Sequence, residues 1–201
     1  MRILLLIFTV LAMPLAAQEL PAVFKVSGVA SDDVLNVREN PRASSALVGS
    51  FASDAADIEV VAVSENSNWG HVSVGEQNGW VSMTFLEETA PLTGTETHMD
   101  RPLYCAGTEP FWGLNILPDT GVEFEGKALT LDYAGSAVNR MPLRMAFTGS
   151  AENLNLTGVL RREECSDGMS DRVFGLSLDL VVQDGDTTSL MLGCCSLVAP
   201  N

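Results

Sequence analysis

The chain has 201 residues and is acidic, with 26 Asp and Glu against 11 Lys and Arg and a formal net charge of -15. This length is enough for one or two domains. Such a charge repels phosphate backbones and anionic lipid headgroups, so we expect no nucleic-acid partner and no direct membrane binding. The acids are scattered among alternating apolar residues, which argues against a disordered acidic tail.

The first 17 residues have the organisation of a secretory signal peptide. Arg2 provides a minimal positive region, an apolar run covers residues 3–15, and Ala16 and Ala17 offer a small-residue cleavage site. The run is too short to span a bilayer comfortably, although an uncleaved N-terminal anchor is the alternative. Because Gln18 rather than a cysteine follows, the pattern does not predict a lipid anchor. We therefore expect a periplasmic or secreted protein that is soluble after cleavage, with no stable membrane insertion.

Residues 22–88 predict about five short strands, because apolar and polar residues alternate between turn residues. Asn40-Pro41 and Asn78-Gly79 are turn signals. So many short strands in so short a segment predict a small β-barrel. The alternating apolar positions are Leu35 and Val37, Ile58, Val60 and Ala62, Val72 and Val74, and Val81.

Two stretches of this half, DDVLNVRENPRASSALVGSF and WGHVSVGEQNGWVSMTFL, resemble the bacterial SH3 domain (SH3b). The LNVR strand, the turn with proline, the LVG strand, the tryptophan strand and the closing GWV occur in the order of that family. The match covers residues 26–86. The resemblance implies a small barrel with a binding role, often at the cell envelope, toward peptidoglycan or peptides. It implies no catalysis.

Four residues of the SH3b-like half are candidate binding residues. Trp69 and Trp80 could line a groove for a peptide or a glycan, although at least one of them could equally belong to the core. Arg38 is one of few cations on an acidic surface, so it is either an ion-pair partner or a specificity residue. Asn36 could contact a ligand or hydrogen-bond a turn.

Residues 89–101 are rich in Thr, Gly, Pro and charge and show no periodicity, which predicts a linker. From residue 102 to residue 198, period-2 alternation predicts seven or eight strands with short connections and hardly any helix. An antiparallel barrel or sandwich is the economical architecture. The predicted fold class is therefore all-β, with a small SH3-like barrel followed by a disulfide-stabilised second β-domain. Its apolar faces include Trp112, Leu114 and Ile116; Leu176, Leu178 and Leu180; and Leu190, Leu192 and Cys194.

All four cysteines, Cys105, Cys165, Cys194 and Cys195, lie in the second half. Export makes disulfides the default, and the spacing fits no zinc pattern because there is no CxxC. We expect no metal and no cofactor. Adjacent cysteines rarely pair with each other, and on a strand they point to opposite faces. Two connectivities remain, and each joins one cysteine of the adjacent pair to Cys105 and the other to Cys165.

Three motifs of this half, CAGTEPFWGLNI, CSDGMSDRVFGLSLDL and LGCCSL, resemble an uncharacterised family of bacterial envelope proteins. The match covers residues 103–197. The resemblance implies a fold and a compartment, but no reaction. Its recurring C-DGMSD and GC motifs also imply a Cys165–Cys194 bridge, which leaves Cys105–Cys195 as the second.

The segment CSDGMSD, from Cys165 to Asp171, has three interpretations. As a hydrolase loop it lacks a base, since the second half contains no histidine. As a carboxylate site, Asp167 and Asp171 could converge with Glu109 for acid–base work or for Ca²⁺ binding. As a structural turn, Asp and Ser side chains cap local N–H groups, Gly168 takes a positive φ and Cys165 pins the segment. The third interpretation fits best, with a concave ligand site beside the turn as a further expectation.

The GTEPFW motif places Phe111 and Trp112 on opposite faces of a strand, so one ring can anchor the core while the other lies at the surface. The candidate binding residues of the second half are Glu109, Trp112, Asp167 and Asp171. We expect an exported, non-enzymatic binding protein of the bacterial envelope, whose SH3b domain recognises peptidoglycan or an envelope protein or peptide. The alternatives are a carboxylate-based envelope enzyme and an inhibitor of cell-wall hydrolases.

Overall fold

The structure, a computed structural model, describes residues 19–91, 94–95, 98–99, 101–118, 121–136 and 144–199. The predicted signal peptide, residues 1–17, lies outside these ranges. The described residues form two large antiparallel β-structures that contact each other, which confirms the all-β prediction. Within the same ranges, no helix has the length and apolar character needed to cross a membrane.

The first domain is a seven-stranded antiparallel sheet in the order β3-β2-β6-β5-β4-β1-β7. Along β2, Leu35 and Val37 are buried while Asn36 and Arg38 lie on the other, half-exposed face, because side chains alternate along a strand. The buried residues of the sheet form one core. The strands are β1 (Ala22–Val26), β2 (Val34–Arg38), β3 (Leu47–Ala52), β4 (Ile58–Val63), β5 (Trp69–Val74), β6 (Gln77–Ser82) and β7 (Leu86–Pro91), and a short 3-10 helix at Met83–Phe85 precedes β7.

The predicted turn at Asn78-Gly79 is wrong, because both residues lie within β6. The turn between β5 and β6 falls instead at Gly75 and Glu76, where Gly75 has a φ of 58°. A Cβ atom at Gly79 would lie 2.8 Å from the carbonyl oxygen of Arg38. This glycine therefore allows β2 to approach β6 closely, rather than turning the chain.

The start of the predicted linker is part of the sheet. β7 continues to Pro91 and pairs with β1, with Ala22 opposite Pro91. The strands β8 (Gly94–Thr95) and β9 (His98–Met99) then form a small two-stranded sheet of their own. The segment has no apolar periodicity, so these strands rest on backbone pairing that a search for apolar faces does not detect.

The second domain is a closed antiparallel barrel of eight strands, in which each strand pairs with the next and the last pairs with the first. The structure thus decides between the barrel and the sandwich in favour of the barrel. The strands are β10 (Leu103–Thr108), β11 (Phe111–Leu117), β12 (Gly121–Phe124), β13 (Lys127–Ser136), β14 (Arg144–Ala151), β15 (Leu154–Cys165), β16 (Phe174–Asp184) and β17 (Thr187–Ser196).

The barrel interior is filled by the apolar faces that period-2 alternation predicts for most of its strands, among them Trp112, Leu114, Ile116, Leu176, Leu178 and Leu180. The last strand differs. Leu190 and Leu192 of β17 are 64% and 62% exposed, while Met191 and Cys195 belong to the core side. Side chains of β17 alternate between the two faces as predicted, but Leu190 and Leu192 lie on the outer face of the barrel and not in its core.

The adjacent cysteines of β17 serve opposite faces of the barrel. Cys195 is bonded to Cys105 directly across the β10–β17 pair, with the Cα atoms 4.0 Å apart, and both residues belong to the barrel core. Cys194 is bonded to Cys165, with the Cα atoms 5.6 Å apart. This confirms the pairing implied by the family resemblance. Two disulfides indicate an oxidising compartment of the extracellular type.

The end of the CSDGMSD segment and the residues that follow it join the two domains. The N–H of Asp171 donates to the carbonyl of Glu76 at 3.0 Å, and Asn78 Nδ2 donates to the carbonyl of Asp171 at 2.5 Å. The N–H of Val173 donates to Ser73 Oγ at 3.0 Å, and this hydroxyl lies 2.9 Å from the carbonyl of Val173. We name residues 165–173 the strap, because they lead from the barrel disulfide onto the β5–β6 hairpin.

A buried carboxyl group lies at the same domain interface. Ser196 Oγ of the barrel donates to Oε2 of Glu59 on β4, and Oε1 is shielded from solvent with no hydrogen-bond partner among the described residues. Burial raises the pKa of Glu59 to about 7, against the lowering effects of Ser196, the Leu197 N–H, and the charges of Arg172 and Arg101. Burial at the interface therefore favours the protonated form of this carboxyl.

Glu59 should make stability depend on pH. Because its pKa is raised on folding from 4.5 to about 7, its contribution is fully present below about pH 4.5 and is lost as the pH rises through 7. We expect Glu59→Gln to raise the free energy of unfolding by roughly 1–3 kcal/mol at about pH 8, and Tm with it. At about pH 5 the substitution should change both little. Thermal unfolding at both pH values measures this, with the exposed Glu65→Gln as control. A lower Tm for Glu59→Gln at both pH values would contradict the prediction.

Removing the two disulfides should have unequal effects. Cys105–Cys195 spans a sequence separation of 90 residues and Cys165–Cys194 one of 29. On loop entropy alone, losing the first should cost about 4–5 kcal/mol and losing the second about 3–4 kcal/mol. Denaturant unfolding of the two double Cys→Ala variants measures the difference. A greater loss for Cys165→Ala/Cys194→Ala would show that the strap contributes more than the barrel closure.

Candidate functional site

The GTEPFW and CSDGMSD motifs meet at one groove on the outside of the barrel. Thr108 Oγ1 donates to the carbonyl of Asp167 at 2.9 Å, which joins the tip of the β10–β11 hairpin to the strap. The groove beside this contact has a volume of about 850 Å³, and we name it the barrel groove. Its walls are the hairpin tip, the start of the strap and the outer faces of β16 and β17. Side chains that line it include Glu109, Phe111, Asp167, Met169, Leu190 and Leu192.

The first part of the strap is a turn that Asp167 holds together. Its Oδ1 accepts the N–H groups of Met169 at 3.0 Å and Ser170 at 2.9 Å, and its Oδ2 accepts the Ser170 hydroxyl at 2.8 Å. Gly168 has a φ of 73°, as predicted for this turn. Partial burial acts to raise the pKa of Asp167, but these hydrogen bonds and the charge of Arg172 lower it below its ordinary value. The carboxylate is thus a turn cap held in its ionised form.

The three candidate carboxylates do not converge. Glu109 and Asp167 both line the barrel groove, but Asp171 is not among its lining residues and its backbone binds the first domain instead. Among the described residues, no group of three or more His, Cys, Asp or Glu is arranged to hold a metal ion. Asp167 is committed to the turn, so the three acids do not form the joint site that was considered from the sequence.

The two rings of GTEPFW divide between core and groove, as the alternation predicts. Trp112 is 5% exposed and packs inside the barrel, 6.4 Å between ring centroids from Phe124. Its indole nitrogen is buried and has no hydrogen-bond partner among the described residues. Phe111 is 72% exposed and lies in the barrel groove. Trp112 also borders a smaller recess of about 500 Å³ next to the groove. Because the side chain is almost fully buried, a ligand in this recess would contact only the edge of its ring.

The apolar side chains of the groove were missed as site residues by the sequence analysis. Met169 is 66% exposed, and with Phe111, Leu190 and Leu192 it forms an apolar patch on the groove walls. A signal for them was present in the sequence of β17, where Leu190 and Leu192 alternate with Met191. A strand of the barrel core needs only one apolar face, so the second apolar face indicates an exposed apolar surface. On the same wall Asp179 is paired with Arg161, Oδ2 to Nη1, at 2.7 Å. Glu109, in contrast, is exposed at the hairpin tip.

Three of the four candidate residues in the first domain line one smaller groove. Asn36, Arg38 and Trp69 border a space of about 370 Å³ together with Phe85. We name it the first-domain groove. Arg38 Nη1 donates to the carbonyl of Ser45 at 2.8 Å, so part of its guanidinium group already stabilises the β2–β3 connection. The groove therefore offers an aromatic ring, an amide and a partly engaged cation.

Trp80 lies outside that groove and stacks on His71, with the ring centroids 4.5 Å apart and an interplanar angle of 7°. The two nitrogens of His71 face Asn78 Oδ1 at 3.0 Å and Glu164 Oε2 at 3.8 Å. All four cysteines are in disulfides. Neither His71 nor any cysteine is therefore placed for the nucleophile–base chemistry that hydrolases use.

The packing of Trp112 against β10 yields a matched pair of variants. A Cβ at Gly107 would lie 2.2 Å from Trp112 Nε1 and 2.4 Å from the carbonyl oxygen of Leu192, whereas a Cβ at Gly113 would meet no atom within 4 Å. We expect Gly107→Ala to destabilise the protein by roughly 1–3 kcal/mol and to shift the tryptophan fluorescence. Gly113→Ala should change stability by less than about 0.5 kcal/mol. Equal denaturation midpoints for the two variants would contradict this packing.

Comparison with known proteins supplies no relative for this geometry. No protein-family model, no curated protein and no solved structure matches the chain. The SH3b and envelope-family resemblances therefore stay expectations from sequence.

Proposed function

We propose that this chain is a non-enzymatic binding protein of the bacterial cell envelope. The observation that carries the proposal is the convergence of its two most distinctive motifs on the barrel groove. Phe111 and Met169 stand exposed there, while the Asp167 carboxylate is occupied by the turn. Exposed apolar side chains around a concave surface are typical of binding sites.

The first domain supplies a second binding surface in this proposal. The first-domain groove combines Trp69, which can stack on a sugar or peptide, with Asn36 and Arg38, which can bond to their polar groups. Together with the SH3b resemblance, this favours peptidoglycan or an envelope peptide as the ligand. The hydrogen bonds between the strap and the β5–β6 hairpin support a role in which both domains act as one unit.

Disulfide chemistry and sequence together support the compartment that we propose. The two disulfides fit an oxidising environment, and the predicted signal peptide provides the route to it. The location we propose is the periplasm or the extracellular space, where peptidoglycan is accessible.

Retention on purified peptidoglycan sacculi tests the role of the first-domain groove. We expect the intact protein to be retained, and Trp69→Ala to reduce retention at least about tenfold, because a stacking aromatic is a dominant contact of such sites. Leu47→Ala is the control, since this exposed leucine of the same domain lines neither groove. If sacculi do not retain the intact protein and envelope cross-linking finds no protein partner, the proposed function is wrong.

A further inference from the structure

The barrel closes between its first and last strands over a short stretch. In the described residues, β10 and β17 pair through Tyr104 with Ser196, Cys105 with Cys195, and Ala106 with Cys194. β17 pairs with β16 along nearly its whole length, back to Thr187. Residues 187–191 therefore have a partner strand on one side, and no residue of the described chain pairs with them on the other, while Leu192 lies where β10 ends.

Backbone groups point toward this open side at alternate residues. A Cβ on Gly107 of β10 would lie 2.4 Å from the carbonyl oxygen of Leu192, so this oxygen faces the β10 side. In an antiparallel ladder the N–H and C=O of one residue point the same way, and the pattern repeats every second residue. Leu190 therefore presents its N–H and C=O to the open edge.

The open edge lacks the features that usually protect an edge strand. Natural edges carry charges, prolines or bulges that block a further strand. Residues 187–192 read TTSLML, with no charge and no proline, and their pairing with β16 is regular. The edge lies beside the barrel groove, which Leu190 and Leu192 line.

The groove beside this edge is apolar at its walls and acidic at its rim. Phe111 and Met169 face it from the hairpin tip and the strap. Glu109 supplies an exposed carboxylate, while the negative charge of Asp167 lies in the turn that it caps. None of the described residues that line it is basic. An extended segment with apolar and basic side chains fits this combination, whereas a second copy of the chain, with a net charge of -15, would be repelled.

We propose that the barrel groove binds an extended basic segment of a partner protein by strand addition to the open edge of β17. Its backbone pairs with Leu190 and neighbouring residues, alternate apolar side chains pack on the apolar patch, and a Lys or Arg side chain meets the exposed Glu109. This inference rests on the proposed binding function and names the class of ligand for its barrel groove.

A capped eight-residue peptide of alternating lysine and valine is the probe, with fluorescence anisotropy of the intact protein as the readout. We expect saturable binding that weakens as salt rises. The same peptide with an N-methyl group at every residue cannot complete the backbone ladder in either register, and a glutamate-for-lysine peptide reverses the charge. Each should bind at least about tenfold more weakly. No binding of the lysine peptide, or equal binding of the N-methylated one, would overturn the proposal.

Variants of the protein locate the site. Leu190→Pro removes the N–H at the open edge, a position where proline is tolerated in sheets, and should weaken peptide binding at least about tenfold. Leu190→Ala keeps that N–H and should weaken binding less. Leu47→Ala, at a leucine of the first domain that is 58% exposed, should have no effect. If Leu190→Pro fails to fold, the N-methylated peptide still decides the question.

Two further results separate the possible occupants and the two proposals. A dimer in sedimentation experiments that Leu190→Pro dissociates would overturn the proposal in favour of a second copy on the edge. Failure of peptide binding alongside Trp69-dependent retention on sacculi would refute the strand addition and leave the proposed function standing. If the intact protein binds the peptide but is not retained on sacculi, only the proposed role of the first domain is refuted.

Discussion

The adjacent cysteines of β17 are the covalent constraint on which the second domain depends. Since neighbouring side chains on a strand point to opposite faces, Cys195 closes the barrel from inside through Cys105, while Cys194 holds the strap to its outside through Cys165. One dipeptide thus sets both the closure of the core and the position of the groove wall. The barrel groove exists because the strap is held against a strand whose outer face is already apolar.

The strap connects this constraint to the first domain. Its first half is a turn organised by Asp167, and its second half runs along the β5–β6 hairpin through backbone hydrogen bonds at Asp171 and Val173. The same nine residues therefore form a groove wall, carry a disulfide and connect two domains. The interface they create also buries Glu59, so protonation of one carboxyl is coupled to the docking of the domains.

The chemistry of both grooves suits recognition. In the barrel groove the acid with the strongest local hydrogen bonding is used to cap a turn, and the exposed groups are apolar side chains and backbone at a strand edge. In the first-domain groove, Arg38 is partly engaged with Ser45, which fixes the direction of its guanidinium group. Groups held in place in this way lose little conformational entropy on binding, which favours affinity.

The sequence by itself determined the strand content, the alternation along each strand and the candidate cysteine pairs, because these follow from local period-2 spacing and from backbone geometry. It did not determine which side of β17 faces inward, since alternation defines two faces and only the closed barrel decides between them. Asn78-Gly79 was misread as a turn because the need for glycine there comes from β2, distant in sequence. The meeting of Glu109 with Asp167, the separation of Asp171 and the burial of Glu59 likewise depend on contacts between remote segments. Only the tertiary structure decided these, because long-range packing selects among arrangements that local pattern leaves equivalent.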